Sequence, residues 1–311
     1  MANTHATLAA LFDGIAGSIR AVSPVTEEIK ADAFPAYIKM LGYDGAIPAA
    51  PSVLDSCPWD FIRWASDEGI ADLLWSVGDR KAVTLGAWGG PWTSYQVSAG
   101  TYYVYIIGFN HNKELEGDKR IHFEFGFTQL SDGTHIAFSN GGYNLYINDS
   151  TQPALTRMNM SRTNTGGWES CTMRTGTLNG DNRSFKLACP SELLSAVKTV
   201  TKYTDNVGGG SGNVQANVTA TTDTFFLLNV NELRGTGTMN TYEMEKTEQY
   251  QYYKNGNPQG RNKSNDTSVD ARFLLRSPNP SSSTQFMGFG SGVGLYVNAD
   301  LCIALSPAFC V

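Results

Sequence analysis

Residues 102–109, read Tyr-Tyr-Val-Tyr-Ile-Ile-Gly-Phe, are apolar on both of the faces that a β-strand presents. Successive side chains of a strand point to opposite sides of its sheet, so this run needs cover on both. It predicts a central strand inside a layered domain. Around it, Val77-Gly78-Asp79 predicts a turn into a strand over 81–85, and 224–228 reads as a buried strand. Residues 122–127, His-Phe-Glu-Phe-Gly-Phe, alternate, which predicts one buried and one wet face.

A chain of 311 residues with 41% hydrophobic content can bury one sizeable core and a small accessory element. Its 32 glycines cluster with Asn, Asp and Ser, which favours short strands joined by long loops over a helix bundle. Helical spacing is nevertheless clear at the amino end. Leu8, Leu11, Phe12, Ile15 and Ile19 fall three or four apart, and Gly14 and Gly17 make that helix dependent on a partner. A second helical segment spans 27–41. Together they define a module at 1–42, either a docking and oligomerisation device or an ordinary helical hairpin on the main domain. Residues 43–53, with Pro48 and Pro51, read as a linker, and 54–311 as the main domain.

Within that domain Pro58 starts an amphipathic helix over 57–65, with another turn at 70–74. Helices are expected from Cys189 to about Tyr203 and over 243–254, the latter stopped by Asn255-Gly256-Asn257-Pro258. Trp168, set between glycine-rich residues, is expected as a packing anchor, and the Gly/Ser tract 207–213 as a mobile surface loop.

The net charge of −6 comes with no basic stripe, which argues against nucleic acid. No run reaches the ~18 apolar residues of a membrane span, and the first residues lack a signal-peptide pattern. Cys57, Cys171, Cys189, Cys302 and Cys310 are expected as free thiols, mostly buried. His111, His122 and His135 have no second ligand at zinc spacing, so no metal or cofactor is expected. His122 and Glu124 share a strand face and read as ordinary polar residues. The glycines at 208–212 lack the Lys-Ser/Thr of a phosphate loop, and neither Asp132 nor Asn148-Asp149 forms a calcium loop. No catalytic motif is present, although a glycosidase carboxylate pair would be visible only in three dimensions.

The final forty residues join an arginine strand, a polar segment and an apolar run. Residues 272–278 and 301–311 are expected as paired, core-forming strands, with the terminus packed inside. Arg272 and Arg276 share a face, and bonding loop carbonyls is preferred over anion recognition. The polar insert 279–299 is then the candidate recognition surface, through Asn279, Ser281, Ser282, Ser283, Gln285, Tyr296 and Asn298.

Two resemblances add to this reading. Thr7-Leu8, Leu11-Phe12, Ile15-Ala16 and Ile19-Arg20, followed by Ile29, Phe34-Pro35 and Ile38, resemble the helical N-terminal module of tail proteins from phages and prophages of gut Firmicutes. That resemblance implies attachment to other tail or baseplate subunits, a virion-tail location and a homotrimer. Phe226-Leu227-Leu228, Glu232, Gly235, Gln249-Tyr250, Tyr252-Tyr253, Leu274-Leu275-Arg276-Ser277-Pro278 and Pro307-Ala308-Phe309-Cys310-Val311 are similar to an uncharacterised prophage-borne domain. Here Phe273 stands where that domain has tryptophan, and Leu305-Ser306 where it has an aliphatic residue and arginine. In outline the domain resembles the C-type-lectin-like fold of formylglycine-generating enzymes and phage receptor-binding proteins. The implied architecture is α+β, a loop-rich C-type-lectin-like domain behind a small helical module, binding a host glycan or protein. An enzyme on the same fold and a purely structural tail protein are the alternatives.

Overall fold

A computed structural model describes residues 8–89, 97, 99–126, 138, 156–235, 245, 247–256, 272–290 and 293–311. His135, Asp132 and Asn148-Asp149 lie outside the described residues. Helices α1 (Leu8–Ala21) and α2 (Phe34–Met40) open the chain, followed by α3 (Trp59–Asp67) and α4 (Ala71–Leu74). Strands β1 (Arg80–Leu85) and β2 (Gly100–Phe109), the short helix α5 (Lys113–Glu116) and β3 (Ile121–Phe125) come next. The helices α6 (Gly167–Ser170), α7 (Phe185–Ala188) and α8 (Ser191–Ala196) lead to the antiparallel pair β4 (Val200–Asp205) and β5 (Val218–Asp223). Two further short helices, α9 (Val230–Arg234) and α10 (Gln251–Lys254), precede β6 (Phe273–Pro278), β7 (Gln285–Gly290), β8 (Val293–Asn298) and β9 (Ala308–Cys310). The fold is α+β, and its named strand pairs are antiparallel.

The main sheet runs β1-β2-β3-β9, which makes β2 an interior strand, as its two apolar faces require. One side of β3 presents Phe123 and Phe125 to a fully buried aromatic core with Phe185, Phe225 and Phe309. Ring centroids there lie 5.0–5.9 Å apart, within the range of favourable edge and stacked packing. The same core extends into α1 and α2 through Ile19, Phe34, Tyr37 and Met40. Residues 43–53 are bound to the body of the protein: Tyr43 packs on Phe61 and Trp64, and Trp75 Nε1 donates to Pro51 O.

Several local expectations change. The second face of β3 is not wet, because all five of its residues are buried and a charged cluster covers His122 and Glu124. The helix expected over 189–203 ends at Ala196, and the chain turns into β4, where β-branched Val200, Thr201 and Thr204 suit a ladder. Residues 225–228 are buried and Thr224 half-buried, but they form no ladder; Phe226 makes a single bridge to Ala308. Helix α10 keeps only Gln251–Lys254, because residues 247–250 run non-helically and place Tyr250 in the interior.

The two apolar ends of the last forty residues meet at a single parallel bridge between Phe273 and Ala304, where Leu274 N donates to Ala304 O and Ala304 N to Arg272 O, and form no ladder with one another. Strand β6 pairs with β7, whereas β9 crosses to β3 with His122 opposite Cys310. Val311 is fully buried, exchanging backbone bonds with Ile121 and accepting from Ser66 Oγ. The glycine tract is also pinned: Gly209 N donates to Asn164 Oδ1, Gly212 N to Pro280 O, and Gly208 N to Asp205 Oδ1. Trp168 is the expected anchor, fully buried with Nε1 donating to Asp223 Oδ2 at 3.1 Å.

Candidate functional site

The polar face of β3 is the floor of a buried ionic hub to which six elements contribute. Alternation along β4 turns Lys202 inward, although its residue type favours the surface. Asn229 caps α9 in a reciprocal box: its Oδ1 accepts from Glu232 N, and Glu232 Oε2 accepts from Asn229 N. That box fixes Glu232 at the centre. Strand β6 brings in Arg276, and a turn with Asn110 and Asn112 in left-handed conformations (φ 48° each) delivers His111 and then Glu116 on α5. Gly108 faces the Tyr250 ring, which would lie 3.3 Å from a Cβ placed there, so the aromatic ring can stack on His111 at 3.6 Å.

The bonds close on one another. Arg276 donates to both carboxylate oxygens of Glu232, to Thr204 Oγ1 at 2.8 Å and to Leu227 O at 2.8 Å. Lys202 Nζ donates to Glu116 Oε2 (2.7 Å), Glu232 Oε1 (3.1 Å) and Tyr250 Oη (2.9 Å), with the Phe226 ring 4.1 Å away. All three ammonium hydrogens are thereby used. Tyr250 Oη lies 3.0 Å from His122 Nδ1, and Cys310 Sγ lies 3.1 Å from the same nitrogen. Next to this set, Tyr253 Oη donates to Glu124 Oε2, and Ser277 Oγ to Glu245 Oε2.

Burial sets the protonation states. Desolvation pulls His111 down to about 3 and His122 well below the ordinary imidazole range, reinforced by the Lys202 charge, so both rings are neutral near pH 7. Burial pushes Glu232 up, but Arg276 and Lys202 outweigh it and hold its carboxyl well below the usual range. Glu116 moves the other way, because desolvation exceeds what Lys202 returns. Burial drives the Cys310 thiol up to about 12, so its contact with His122 does not make a thiolate. Among the described residues the five cysteines are free, with Cys302 the partly exposed one, and neither Cys302 nor Cys310 fits a reactive pair.

His111, Glu116 and Glu232 offer ligand atoms within 4.8 Å of one another, the one such group of His, Cys and carboxylates among the described residues. The donor set does not suit a cation. Both oxygens of Glu232 already accept from Arg276, one also from Lys202 and the other from Asn229 N. The Lys202 ammonium stands where the positive charge would go. His111 Nε2 and Glu116 Oε1 are left buried and without a hydrogen-bond partner.

Sequence reasoning assigned structural duty to one or both arginines, and Arg276 meets it; Arg272 is exposed at the edge of β6. It did not join His111, Glu116, Lys202 and Glu232, which lie up to 121 residues apart by the difference of their numbers. The usable signal was the capping pattern Asn229-x-x-Glu232 together with the motif residues Phe226, Tyr250, Arg276 and Cys310, all of which converge here.

The model of a domain of unknown function, DUF6273, matches residues 144–311. The chain belongs to this family. No curated protein and no solved structure matches it. Lys202, Glu232, Tyr250, Arg276 and Cys310 lie inside the DUF6273 match, whereas His111, Glu116 and His122 come from the segment before it. The hub is therefore the seam where the DUF6273 portion joins the preceding sheet.

The seven residues of the expected recognition surface divide by environment. Asn279 is buried, with Nδ2 donating to Gln285 Oε1 and Oδ1 accepting from Ser281 N. The carbonyls of Asn279, Ser282 and Gln285 all accept from Asn164 Nδ2, so this turn is clamped to the glycine tract. Ser281 and Ser283 are exposed on its rim, Tyr296 is 56% exposed on β8, and Asn298 Oδ1 is buried without a partner. A separate open groove of about 770 Å³ lies between α3, β1 and α8, lined by Trp59, Asp60, Arg63, Lys81, Thr84 and Glu192 among others. No helix among the described residues is long and apolar enough to cross a membrane.

Proposed function

We propose that this protein is a non-catalytic assembly and recognition component of a phage or prophage tail. Its N-terminal helices join sister or baseplate subunits, and its C-type-lectin-like domain presents the rim of the β6-β7-β8 hairpins to a host glycan or protein. The observation that carries the reading is the outer face of α1. Leu8, Leu11, Ile15, Ser18 and Val22 follow a spacing of three, four, three and four, the seam of a coiled coil. Leu8, Leu11 and Val22 are 65%, 38% and 70% exposed, and Ile38 of α2 and Leu41 just beyond it widen the same surface. A shallow groove of about 420 Å³ between these residues has almost no charge in its lining. Such a surface is costly to leave in water and suits identical helices packing together.

The sealed hub supports a non-catalytic role. Its ionisable groups are buried and mutually satisfied apart from two atoms, and none of its members lines the large groove. Ser281, Ser283 and Tyr296 supply exposed hydroxyls and one ring, a set that can bond a sugar while packing on its apolar face. Light scattering on the full chain tests the assembly half: a trimer is expected, with Leu11→Asp plus Val22→Asp giving a folded monomer. A monomeric native chain would overturn that half. Binding of the protein to immobilised glycans and to Firmicutes cells, lost on Tyr296→Ala with Ser283→Ala, tests recognition; unchanged binding would remove the hairpin from the site.

A further inference from the structure

We propose that Lys202 and Glu116 are joined by a spontaneous amide bond that links β4 covalently to α5. This goes beyond the assembly reading and does not depend on it. The argument starts from contact and enclosure. Lys202 is fully buried, the Glu116 side chain is 1% exposed, and Nζ lies 2.7 Å from Oε2. A permanently held amine and carboxyl are equivalent to reactants at very high effective concentration. Burying both as ions is expensive, so exchanging the pair for a neutral amide removes two desolvation penalties. The Phe226 and Tyr250 rings, centred 4.1 and 5.4 Å from Nζ, belong to the same enclosure, and neither partner is open to bulk water.

The neighbours supply the proton traffic. A proton passes from Nζ to Glu116 along their hydrogen bond, giving a neutral amine beside a neutral acid. The Nζ lone pair then attacks Cδ, forming the N–C bond. The surplus proton on nitrogen moves to Glu232 Oε1, 3.1 Å away. Glu232 returns it to the departing hydroxyl, the Cδ–O bond breaks, and one water leaves. An ammonium and a carboxylate thus become one amide and one water, with no oxidant or reductant. The leaving hydroxyl is Glu116 Oε2, which took the proton from Nζ, and Oε1, which has no hydrogen-bond partner, stays as the amide carbonyl oxygen.

The link would close the chain from residue 116 to residue 202 in a protein whose cysteines are all free. Intact-mass spectrometry of the denatured full chain tests it. The native sequence should weigh about 18 Da less than its composition requires, the loss of one water. After trypsin, cleavage at Lys202 should fail, and peptide 199–234 should be found joined to peptide 114–119. Lys202→Ala and Glu116→Ala should each restore the full mass, a measurement that does not need the variant to be folded. Glu116→Gln offers an amide as the acceptor and should lose about 17 Da as ammonia. A native chain at its full mass, or a water loss that maps to other residues, overturns the proposal.

Discussion

Replacing Arg276 by methionine keeps most of the side chain's length and apolar packing while removing its charge, so it isolates what the guanidinium does in the hub. The native group makes two bonds to the Glu232 carboxylate and one each to Thr204 Oγ1 and Leu227 O, with none of them reachable by solvent. Losing one partner of a buried ion pair typically costs about 3–5 kcal/mol, because the remaining charge stays buried. Lys202 Nζ still donates to Glu232 from 3.1 Å, as an ammonium or as the N–H of an amide, which places the expected loss toward the lower end, at about 3 kcal/mol. The unmade bonds to Leu227 O and Thr204 overlap with that figure and are not added to it. Because Arg276 and Lys202 hold Glu232 below the ordinary carboxylate range, Glu232 contributes stability that is present above an unfolded pKa of about 4.3 and lost as the pH falls. The methionine variant should therefore show its full deficit at neutral pH and approach the native protein in acid. Chemical denaturation followed by the fluorescence of the six tryptophans reads this directly. Adding Glu232→Gln to Arg276→Met removes the stranded charge while a glutamine can still cap α9, so the double variant should be more stable than Arg276→Met alone. A loss under about 1 kcal/mol, or a double variant no better than the single one, would refute the claim that the pair carries the hub.

Two further outcomes follow from the geometry. Gly167 and Gly208 have φ of 53° and 58°, and a Cβ would fall 2.1 Å from Asp205 O and 1.9 Å from Asn164 O, so either alanine variant should lose more than about 3 kcal/mol in thermal or chemical melts. Gly256, with φ 74° and open space around it, should lose only about 1 kcal/mol, and equal losses at all three positions would show that backbone contact is not the cause. Burial pushes Glu245 up to about 7 despite the nearby Arg276 and its bond from Ser277, so the folded protein retains that proton when the unfolded chain has released it. Stability should then decline by about 3 kcal/mol as the pH rises from about 4.5 to about 7, and Glu245→Gln should abolish that slope. A pH profile unchanged by the substitution would place the proton elsewhere.

The elements legible in the sequence were those with an uninterrupted local period. β2 was recoverable because eight residues without a charge fit only an interior strand, and α1 because its leucines, phenylalanine and isoleucines recur at helical spacing. Helix 189–203 was overrun because helical spacing from Leu193 to Val197 gives way to the β-branched residues of β4 with no proline or glycine to mark the change. The glycine tract looked free because two of its restraints are long-range: Asn164 and Pro280 hold it from separate segments, while Asp205 holds it from just upstream.

The hub was the least legible part, for a reason that also explains its composition. Alternation at β3 and β4 tells which side chains share a face, and it assigns His122, Glu124 and Lys202 to the polar side. Whether that side meets water depends on what else covers it, and here the cover comes from α5, α9, β6 and the segment that leads into α10. A strand face that reads as wet is therefore equally compatible with a buried, charge-balanced layer. Lys202 and Arg276 offset Glu116 and Glu232, so the layer can be enclosed without a net charge. Replacing such ions with apolar residues is often neutral for stability, and the geometry suggests what retaining them secures instead. Each bond joins a segment inside residues 144–311 to another there or to the sheet before it, with Lys202 to Glu116 and Tyr250 to His122 crossing that boundary. An apolar seam would tolerate sliding of one part over the other. Directional bonds between Lys202, Glu116, Glu232 and Arg276 fix a single register, and with it the position of the β6-β7-β8 rim relative to the helices at the other end of the chain.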